Sequence, residues 1–527
     1  MGAVVAYTDP QGIFTKYESL LDQYLGLLVY LHWQPSVNIT IGPTGNGIGT
    51  AVRTIPSLKL TFVPEKDKTM PYHQIPGLNP LPLMQILVFE VTSTDIYRHK
   101  LRQIGKEWFS KHVDIREPTG HAVVLIHTAK DSDKAVKSIW TRMINEFDED
   151  VCLQLNPEVT QDWMQLRQLI QKQILIAFDQ RVVQLNSEAR KLNLTMDVPG
   201  WNFGQLYAVY ESLAWAYESL NLFEDALSIY DSLHQMIIAR SKETWDAESK
   251  TMDSGFICEK TEVVDLMLSQ NASYFDVLRH IIARKINMLV ETAISRKQQK
   301  DTVVSLADKS VNDSIELALN HLPSLVESLK STSSDTVALK WSYMASKELF
   351  KLTSNVGSSL CRGKGSILLV QRDALQSLGC LKGWRVPGIF NDAEIADLSE
   401  EDKKDIDFGI ATYDEFVEEF RNLTLQSIKL FKEAQLLRTV NRLSEQLVLM
   451  YYAEDDTKNC WKTLSSIDIF EFHQYRPVTK IFEIALSCCE RQNLEESLLD
   501  LAYGILKVDT SKEIRERALH FLNKYSD

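Results

Sequence analysis

The spacing of apolar residues divides this chain into a first part with strand-like runs and a longer second part with helical periodicity. Residues 83–92 and 121–128 are continuous apolar runs, which are typical of strands covered on both faces of a sheet. Each run is followed by a segment of helical pattern. Because strand and helix alternate, we predict parallel pairing with right-handed crossovers and an α/β domain over residues 1–157.

Shorter patterns predict the remaining elements of this domain. The pattern indicates strands at residues 2–7 and 58–63, and helices at residues 13–30, 96–111 and 134–147.

A glycine-rich stretch, GPTGNGIG at residues 42–49, is the feature of this domain that invites a nucleotide-binding interpretation. A phosphate loop ends in Lys followed by Ser or Thr, whereas Gly47 is followed here by Ile48 and Gly49. The stretch also lacks the preceding strand and following helix of the dinucleotide fingerprint. We therefore predict a flexible surface loop and keep a GTP-binding N-terminal domain, active or degenerate, as an alternative.

Beyond Pro157 the strand patterns stop and helical spacing takes over. One long helix is predicted over residues 163–193, and a helical hairpin follows it over residues 201–237. Helical periodicity continues over residues 262–295 and 311–330.

The hairpin over residues 201–237 has small residues at Ala214 and Ala226 and aromatic residues at Tyr217 and Tyr230. Small residues let two helices approach closely, and the aromatic side chains fill the groove beside them, as in tetratricopeptide (TPR) repeats. The same spacing of nine and then four residues occurs three times, at Tyr217, Ala226 and Tyr230, at Tyr451, Cys460 and Leu464, and at Cys488, Ser497 and Leu501. We therefore predict an α-solenoid of TPR-like hairpins in two parts, residues 158–382 and 412–527.

Helical periodicity fails between these two parts, at residues 383–411. Within this stretch, residues 392–407 hold eight acidic residues and two lysines, Lys403 and Lys404, for a net charge of −6. Such a composition offers little apolar surface to bury. We predict an acidic surface loop, with an acidic docking segment as the alternative.

The overall composition excludes some classes of function. The 527 residues include 57 basic and 71 acidic ones, and the formal charge of −14 argues against a nucleic-acid partner, which would require a broad basic face. No run of 18 apolar residues occurs, and the seven scattered cysteines are typical of reduced thiols. We therefore expect a cytoplasmic protein.

No cluster of residues indicates catalysis or metal binding. His73, His121 and His280 each lack a second His or Cys at metal-ligand spacing. The adjacent Cys488 and Cys489 lie in a predicted helix, where successive side chains diverge, so we expect them to pack in the core. The sequence thus predicts no catalytic residue, no cofactor and no metal, and it leaves the partner-binding residues unknown.

Basic residues gather in and just beyond the helical segment predicted over residues 262–295. We interpret them as a solvated helix face, with contact to a lipid or an acidic partner as the alternative. They are Arg279, Arg284, Lys285, Arg296, Lys297 and Lys300.

Several segments resemble one known family, subunit ten of the TRAPP membrane-trafficking complexes, a large subunit specific to the TRAPP II form. The main segment is ESLAWAYESLNLFEDALSIYD at residues 211–231. Further matches follow the family's order, namely DPQGIF at residues 9–14, LHW at 31–33, HQIPGL at 73–78 and, as in fungal members, GWR at 383–385.

The resemblance implies a structural subunit without catalytic residues, docked on a core of small TRAPP subunits beside other TRAPP II large subunits. That complex promotes nucleotide exchange on Rab GTPases at the late Golgi, so contacts with Rab and Golgi membranes would be made through the complex. Family members are longer and carry an immunoglobulin-like β region after the solenoid, so the chain resembles an N-terminal half. Another solenoid adaptor of a vesicle coat or tether is the alternative.

Overall fold

A computed structural model of the protein describes residues 2–41, 46–65, 82–90, 93–113, 118–128, 133–239, 260–298, 319, 335–353, 361–389, 409–467, 469–470, 479–508 and 510–525. The chain divides into two compact units, Met1–Lys250 with Cys258–Thr292 and Thr251–Ile257 with Ala293–Asp527. The predicted domain boundaries at residues 157, 382 and 411 do not coincide with this division and stay predictions. The predicted helix at 311–330 and the acidic segment at 392–407 lie outside the described residues, except for Leu319.

The first unit begins with a six-stranded sheet. Among the described residues, the strands of this unit are β1 (Ala3–Thr8), β2 (Leu27–Trp33), β3 (Ile39–Ile41), β4 (Asn46–Ile48), β5 (Arg53–Pro64), β6 (Met84–Glu90), β7 (Gly120–Ile126) and β8 (Cys152–Leu155). The sheet order is β2-β5-β1-β6-β7-β8, while β3 and β4 form a separate antiparallel pair. All neighbouring pairs from β5 to β8 are parallel, and the edge strand β2 is antiparallel to β5. The predicted α/β class is therefore confirmed.

Helices cover this sheet and continue the unit. They are α1 (Glu18–Leu25), α2 (Arg102–Val113), α3 (Asp133–Phe147), α4 (Thr160–Leu194), α5 (Phe203–Ser219), α6 (Phe223–Ala239), α7 (Lys260–Leu268) and α8 (Tyr274–Gln298), the last of which begins in this unit. Helices α2 and α3 share a core with one sheet face, centred on Phe89, Trp108 and Phe147. The other face joins α1, α4, α5 and α6 in a second, larger core.

The helix predicted over residues 13–30 is wrong over its last five residues, 26–30. A 3-10 turn, Phe14–Tyr17, leads into α1, and the chain then forms β2. Gly26 marks the break, because its carbonyl accepts the N–H of Leu60 at 2.9 Å and so begins the pairing of β2 with β5. Tertiary pairing thus overrides the local helical spacing.

The hairpin predicted over residues 201–237 is confirmed as α5 and α6. The helical segment predicted over residues 262–295, in contrast, is two helices, α7 and α8. Gln270 has a left-handed backbone (φ 57°), and the Ser273 hydroxyl caps α8 by accepting the N–H of Asp276 at 3.0 Å. A left-handed residue and a serine cap end one helix and start the next, which apolar spacing alone does not reveal.

The second unit is helical throughout its described residues. Its helices are α9 (Asp335–Thr353), α10 (Cys361–Leu381), α11 (Tyr413–Glu433), α12 (Leu437–Ala453), α13 (Thr457–Leu464), α14 (Thr479–Arg491), α15 (Glu495–Leu506) and α16 (Lys512–Tyr525). One core runs along them from Tyr343 to Phe521. This succession of antiparallel neighbours agrees with the predicted helical solenoid.

Hairpins in both units share one turn geometry. After α5, Asn221 has a left-handed backbone (φ 60°), and the Leu222 N–H donates to the Tyr217 carbonyl at 3.0 Å, which is a Schellman motif. The same motif follows α11, α12 and α14, with left-handed residues Gln435, Asp455 and Asn493.

The shared turn shows that the third predicted repeat is displaced by one residue. The carbonyl that closes this turn belongs to Cys489, which therefore corresponds to Tyr217. Nine residues later stands Leu498, which is buried, whereas the predicted Ser497 is half-buried. Selecting a small residue at that position misplaced the register, because this hairpin packs a leucine where the first packs Ala226.

Candidate functional site

The place where a doubly wound sheet binds nucleotides is filled here by the chain's own side chains. Because β1 lies between β5 and β6, the sheet changes direction beside β1, and ligands of such sheets bind at the carboxyl ends of the strands there. The loop after β1 carries Asp9, whose carboxylate accepts the N–H of Phe14 at 2.7 Å and that of Gln11 at 3.1 Å. Phe14 is the first residue of the helical turn that precedes α1, and Gln11 lies in the loop before it. The carboxylate therefore occupies the position at which a helix start would receive a phosphate.

Gln11 closes the same crevice from the other side. Its side-chain carbonyl accepts the N–H of Glu90, at the end of β6, at 2.8 Å. The glycine-rich stretch is elsewhere, because β3 and β4 flank it and Gly47 pairs with Thr40. It thus lies between two antiparallel strands and opens no helix; its residues 42–45 lie outside the described residues.

The histidines singled out from the sequence lie apart in the fold. The His121 ring lies 3.2 Å from the carbonyl of His112, and burial lowers its pKa. His280 belongs to α8, and His73 lies outside the described residues. Among the residues that the structure describes, no group of three His, Cys, Asp or Glu side chains could hold a metal ion.

A charged contact nearby fixes the end of β5 against α2. The Glu65 carboxylate lies 3.2 Å from His112 Nε2 and also bonds Lys111 and Thr8. The hydrogen bond to His112, followed by those to Lys111 and Thr8, holds the pKa of Glu65 well below its usual value, although burial opposes this shift. Glu65 therefore stabilises the fold as an anion.

The solvated helix face expected for the basic residues of α8 is wrong for two of them. Arg279 is fully buried and Arg284 is 8% exposed. The Arg284 guanidinium forms an ion pair with Glu218 of α5. These arginines face the protein interior, so they are not free to meet a lipid or an acidic partner.

Tyr230 of α6 lies at the centre of this buried charge network. Its hydroxyl lies 2.9 Å from Glu211 Oε1 and 3.1 Å from Glu218 Oε1, and it accepts the Arg284 Nε–H at 3.1 Å. His280 Nε2 lies 3.2 Å from the same Glu211 oxygen. Burial raises the pKa of Tyr230 well above its usual value, so the hydroxyl keeps its proton and can donate it to a carboxylate. The network therefore joins α5, α6 and α8 by charge-assisted hydrogen bonds.

The other basic residues of this group are placed differently. Lys285 pairs with Asp231 at 2.7 Å, and that aspartate side chain is 54% exposed. The side chains of Arg296 and Lys297, together with Lys300, lie outside the described residues. Cys488 and Cys489 are buried, as expected for core packing.

Strand β2 exposes three apolar side chains close together in the sequence. Leu27, Val29 and Tyr30, here called the β2 patch, are 51%, 40% and 75% exposed. Tyr30 also has a left-handed backbone (φ 52°), which costs a non-glycine residue roughly 1–2 kcal/mol. Exposed apolar side chains on an edge strand are typical of a surface for another protein, and tyrosine often dominates such contacts.

The patch exists because β2 and β5 change their buried side at the same point. Leu28 and Leu58 are paired and buried, and further along so are Leu31 and Ile55. Two consecutive residues of β2, Val29 and Tyr30, therefore face outwards. Sequence reasoning missed this surface because it assigned residues 13–30 to a helix, although the short apolar run LLVYLHW, with its valine and aromatic residues, could have indicated the strand.

Within the described residues, no helix is both long and apolar enough to cross a lipid bilayer.

Comparison with known protein families gives two matches. Residues 2–194 match the family "Trafficking protein particle complex subunit 10-like, N-terminal". Residues 320–488 match the family "TR130 NTS domain". The two matches cover separate parts of the chain.

Individual relatives carry corresponding names. The chain is 22% identical over 476 residues to the Saccharomyces cerevisiae protein "Trafficking protein particle complex II-specific subunit 130", covering 85% of this chain and 39% of that protein. It is 21% identical over 259 residues to mouse "Trafficking protein particle complex subunit 10", covering 44% and 21%. The Arabidopsis thaliana homolog of subunit 130 is 28% identical over 155 residues, covering 28% and 11%. The chain thus spans 39% or less of the length of each of these relatives.

Proposed function

Because the chain belongs to the family of large TRAPP II subunits, we propose that it is a non-catalytic scaffold of a TRAPP II complex, a vesicle-tethering and Rab guanine-nucleotide-exchange assembly of Golgi trafficking. In this proposal the chain holds other subunits in fixed relation, and it meets Rab GTPases and Golgi membranes through the complex. The protein would then be cytoplasmic and peripherally associated with late Golgi membranes.

The observation that carries the scaffold proposal is the filled crevice of the α/β sheet. Nucleotide binding at this position would require the helix start to be free for a phosphate. The Asp9 carboxylate already accepts the N–H of Phe14, the first residue of the turn, at 2.7 Å, and that of Gln11 in the preceding loop at 3.1 Å. A phosphate there would meet a carboxylate of the same charge. This geometry disfavours the alternative of an N-terminal GTP-binding domain.

Contact with other subunits would be made by surfaces such as the β2 patch. Its side chains are apolar, lie next to one another and belong to an edge strand. We propose that a small TRAPP core subunit covers this patch, because the family docks on that core. Binding would bury Tyr30 and offset the cost of its backbone conformation.

A nucleotide-release assay tests the scaffold proposal. A late-Golgi Rab loaded with fluorescent GDP is mixed with the chain alone, with the small-subunit core alone or with both. We expect the chain alone to leave the release rate at its spontaneous value, and a fluorescent GTP analogue to show no binding to the chain. Acceleration by the chain alone, or saturable GTP binding that Asp9→Ala strengthens, would contradict the proposal.

A further inference from the structure

Helix α9 (Asp335–Thr353) of the second unit is firmly held along one side. Ala338, Trp341, Ala345 and Leu349 are buried there at intervals of three or four residues. This spacing keeps one side of the helix against the core. The direction of its opposite side is therefore fixed by the fold.

That opposite side carries an unusual set of residues. Three lysines and two apolar residues are exposed along it and form what we call the α9 stripe: Val337, Lys340, Met344, Lys347 and Lys351. From Val337 to Lys351 the helix rises by fourteen steps, or about 21 Å, so the stripe is nearly as long as the helix. Its lysines are separated by seven and four residues, which places them on one face.

The positive charge of the stripe is offset along the helix by one carboxylate, that of the half-buried Glu348, which follows Lys347 and lies three residues before Lys351. Among the described residues, none of the ammonium groups of Lys340, Lys347 and Lys351 forms an ion pair or hydrogen bond. The whole chain has a formal charge of −14, so a face with three exposed lysines is a local reversal of its overall charge. Met344 lies between Lys340 and Lys347 and is 42% exposed, while Val337 precedes Lys340 and is 36% exposed.

We propose that the α9 stripe binds an acidic, helix-forming segment of a protein partner. Carboxylates seven and then four residues apart along a partner helix would each face one lysine. Apolar residues between these carboxylates would cover Met344, and one beyond the end of the row would cover Val337. Methionine suits such a contact because its flexible side chain adapts to different neighbours. Charge complementarity sets the partner's orientation, and the contact shields Met344 from water.

The stripe suits a protein partner better than a membrane surface. Helices that lie in a bilayer interface carry large apolar side chains such as Trp, Phe or Leu on the inserted side. The α9 stripe exposes only part of one valine and one methionine, and its other face is held in the core. Anionic vesicles therefore serve as a competing ligand in the test.

The test uses the full chain and a synthetic helical peptide. The peptide carries glutamates at positions i, i+7 and i+11 and leucines between them; a second peptide of the same composition has a scrambled order. We expect the ordered peptide to bind in fluorescence anisotropy, more weakly at higher salt, and the triple variant Lys340→Glu, Lys347→Glu, Lys351→Glu to lose at least about tenfold in affinity.

A matched control changes three exposed lysines elsewhere in the same unit. The variant Lys429→Glu, Lys432→Glu, Lys458→Glu has the same net charge and should keep the parent affinity. Equal loss in both triple variants, or equal binding of the scrambled peptide, would overturn the proposal. So would binding only to phosphatidylserine vesicles. A further experiment uses a variant whose acidic residues at 392–407 are neutralised. If the peptide binds this variant and does not bind the parent chain, the chain's own acidic segment occupies the stripe. That result would also overturn the proposal.

Discussion

Replacing Arg284 by methionine should strongly destabilise the first unit, because it leaves the Glu218 carboxylate buried without its cation. Glu218 is fully buried, and Arg284 supplies both its ion pair and the Nε–H bond to Tyr230 at 3.1 Å. Removing one partner of a buried ion pair costs about 3–5 kcal/mol. For a unit of this size, that loss corresponds to a fall in transition temperature of roughly 5–8 °C.

The neighbouring Lys285 provides the matched control. Lys285→Met removes an adjacent positive charge from the same helix, but its partner Asp231 is 54% exposed, and such pairs contribute about 1 kcal/mol or less. Urea denaturation of the parent and both variants, followed by far-ultraviolet circular dichroism, measures the difference.

A double variant separates the cost of the unpaired buried charge of Glu218 from the cost of the packing lost with the Arg284 side chain. Adding Glu218→Gln to Arg284→Met neutralises the buried carboxylate, so the double variant should recover at least about 1 kcal/mol of the loss. If Arg284→Met is no less stable than Lys285→Met, the buried charge network does not hold α5, α6 and α8 together and the reasoning is refuted.

Three further changes test the packing and electrostatics of the first unit. Ala226→Phe places a ring where two helices meet and should cost roughly 1–3 kcal/mol in thermal unfolding; an unchanged melting curve would refute the hairpin register. Gly204→Ala should destabilise as well, because a Cβ there would lie 2.1 Å from the Met267 carbonyl oxygen, and a variant as stable as the parent would contradict that close approach. Glu65→Gln removes a stabilising anion whose pKa is lowered mainly by His112. Because a carboxylate with a lowered pKa stabilises above the unfolded value and stops doing so as the pH falls through the folded one, the stability gap between parent and variant should be largest at neutral pH and narrow below about pH 4.3. A gap that does not change with pH would contradict this assignment.

The sequence predicts those helices and strands that can be identified from the local spacing of apolar residues. The buried strands β6 and β7 are continuous apolar runs, and α4 keeps helical spacing over its whole length, so both kinds of element were placed to within a few residues. The hairpin of α5 and α6 was found because Ala226 and Tyr230 repeat a known pattern. The local pattern does not show which strands pair or where the backbone dihedral φ is positive. For this reason strand β2 was misassigned and the break at Gln270 was missed.

The functional features depend on contacts between distant residues, and for that reason most of them were not predicted. Arg284 is a charged residue on a helix, and only its meeting with Glu218, 66 positions away, shows that it is buried. The Asp9 carboxylate was noted as part of a family segment, but its hydrogen bonds to the following turn emerge only in the fold. Tyr30 is exposed because β2 and β5 change their buried side at the same point. The pattern of one strand alone does not contain this information.

Co-elution of the chain with a reconstituted core of small TRAPP subunits tests the central claim most directly. At micromolar concentrations we expect the parent chain to move into the core's size-exclusion fraction, and the variant Leu27→Ser, Val29→Ser, Tyr30→Ser to elute separately while its melting temperature matches the parent's. The triple variant Lys429→Glu, Lys432→Glu, Lys458→Glu should co-elute as the parent does. Separate elution of the parent chain and the core would contradict the assignment of this protein as a scaffold that docks on that core.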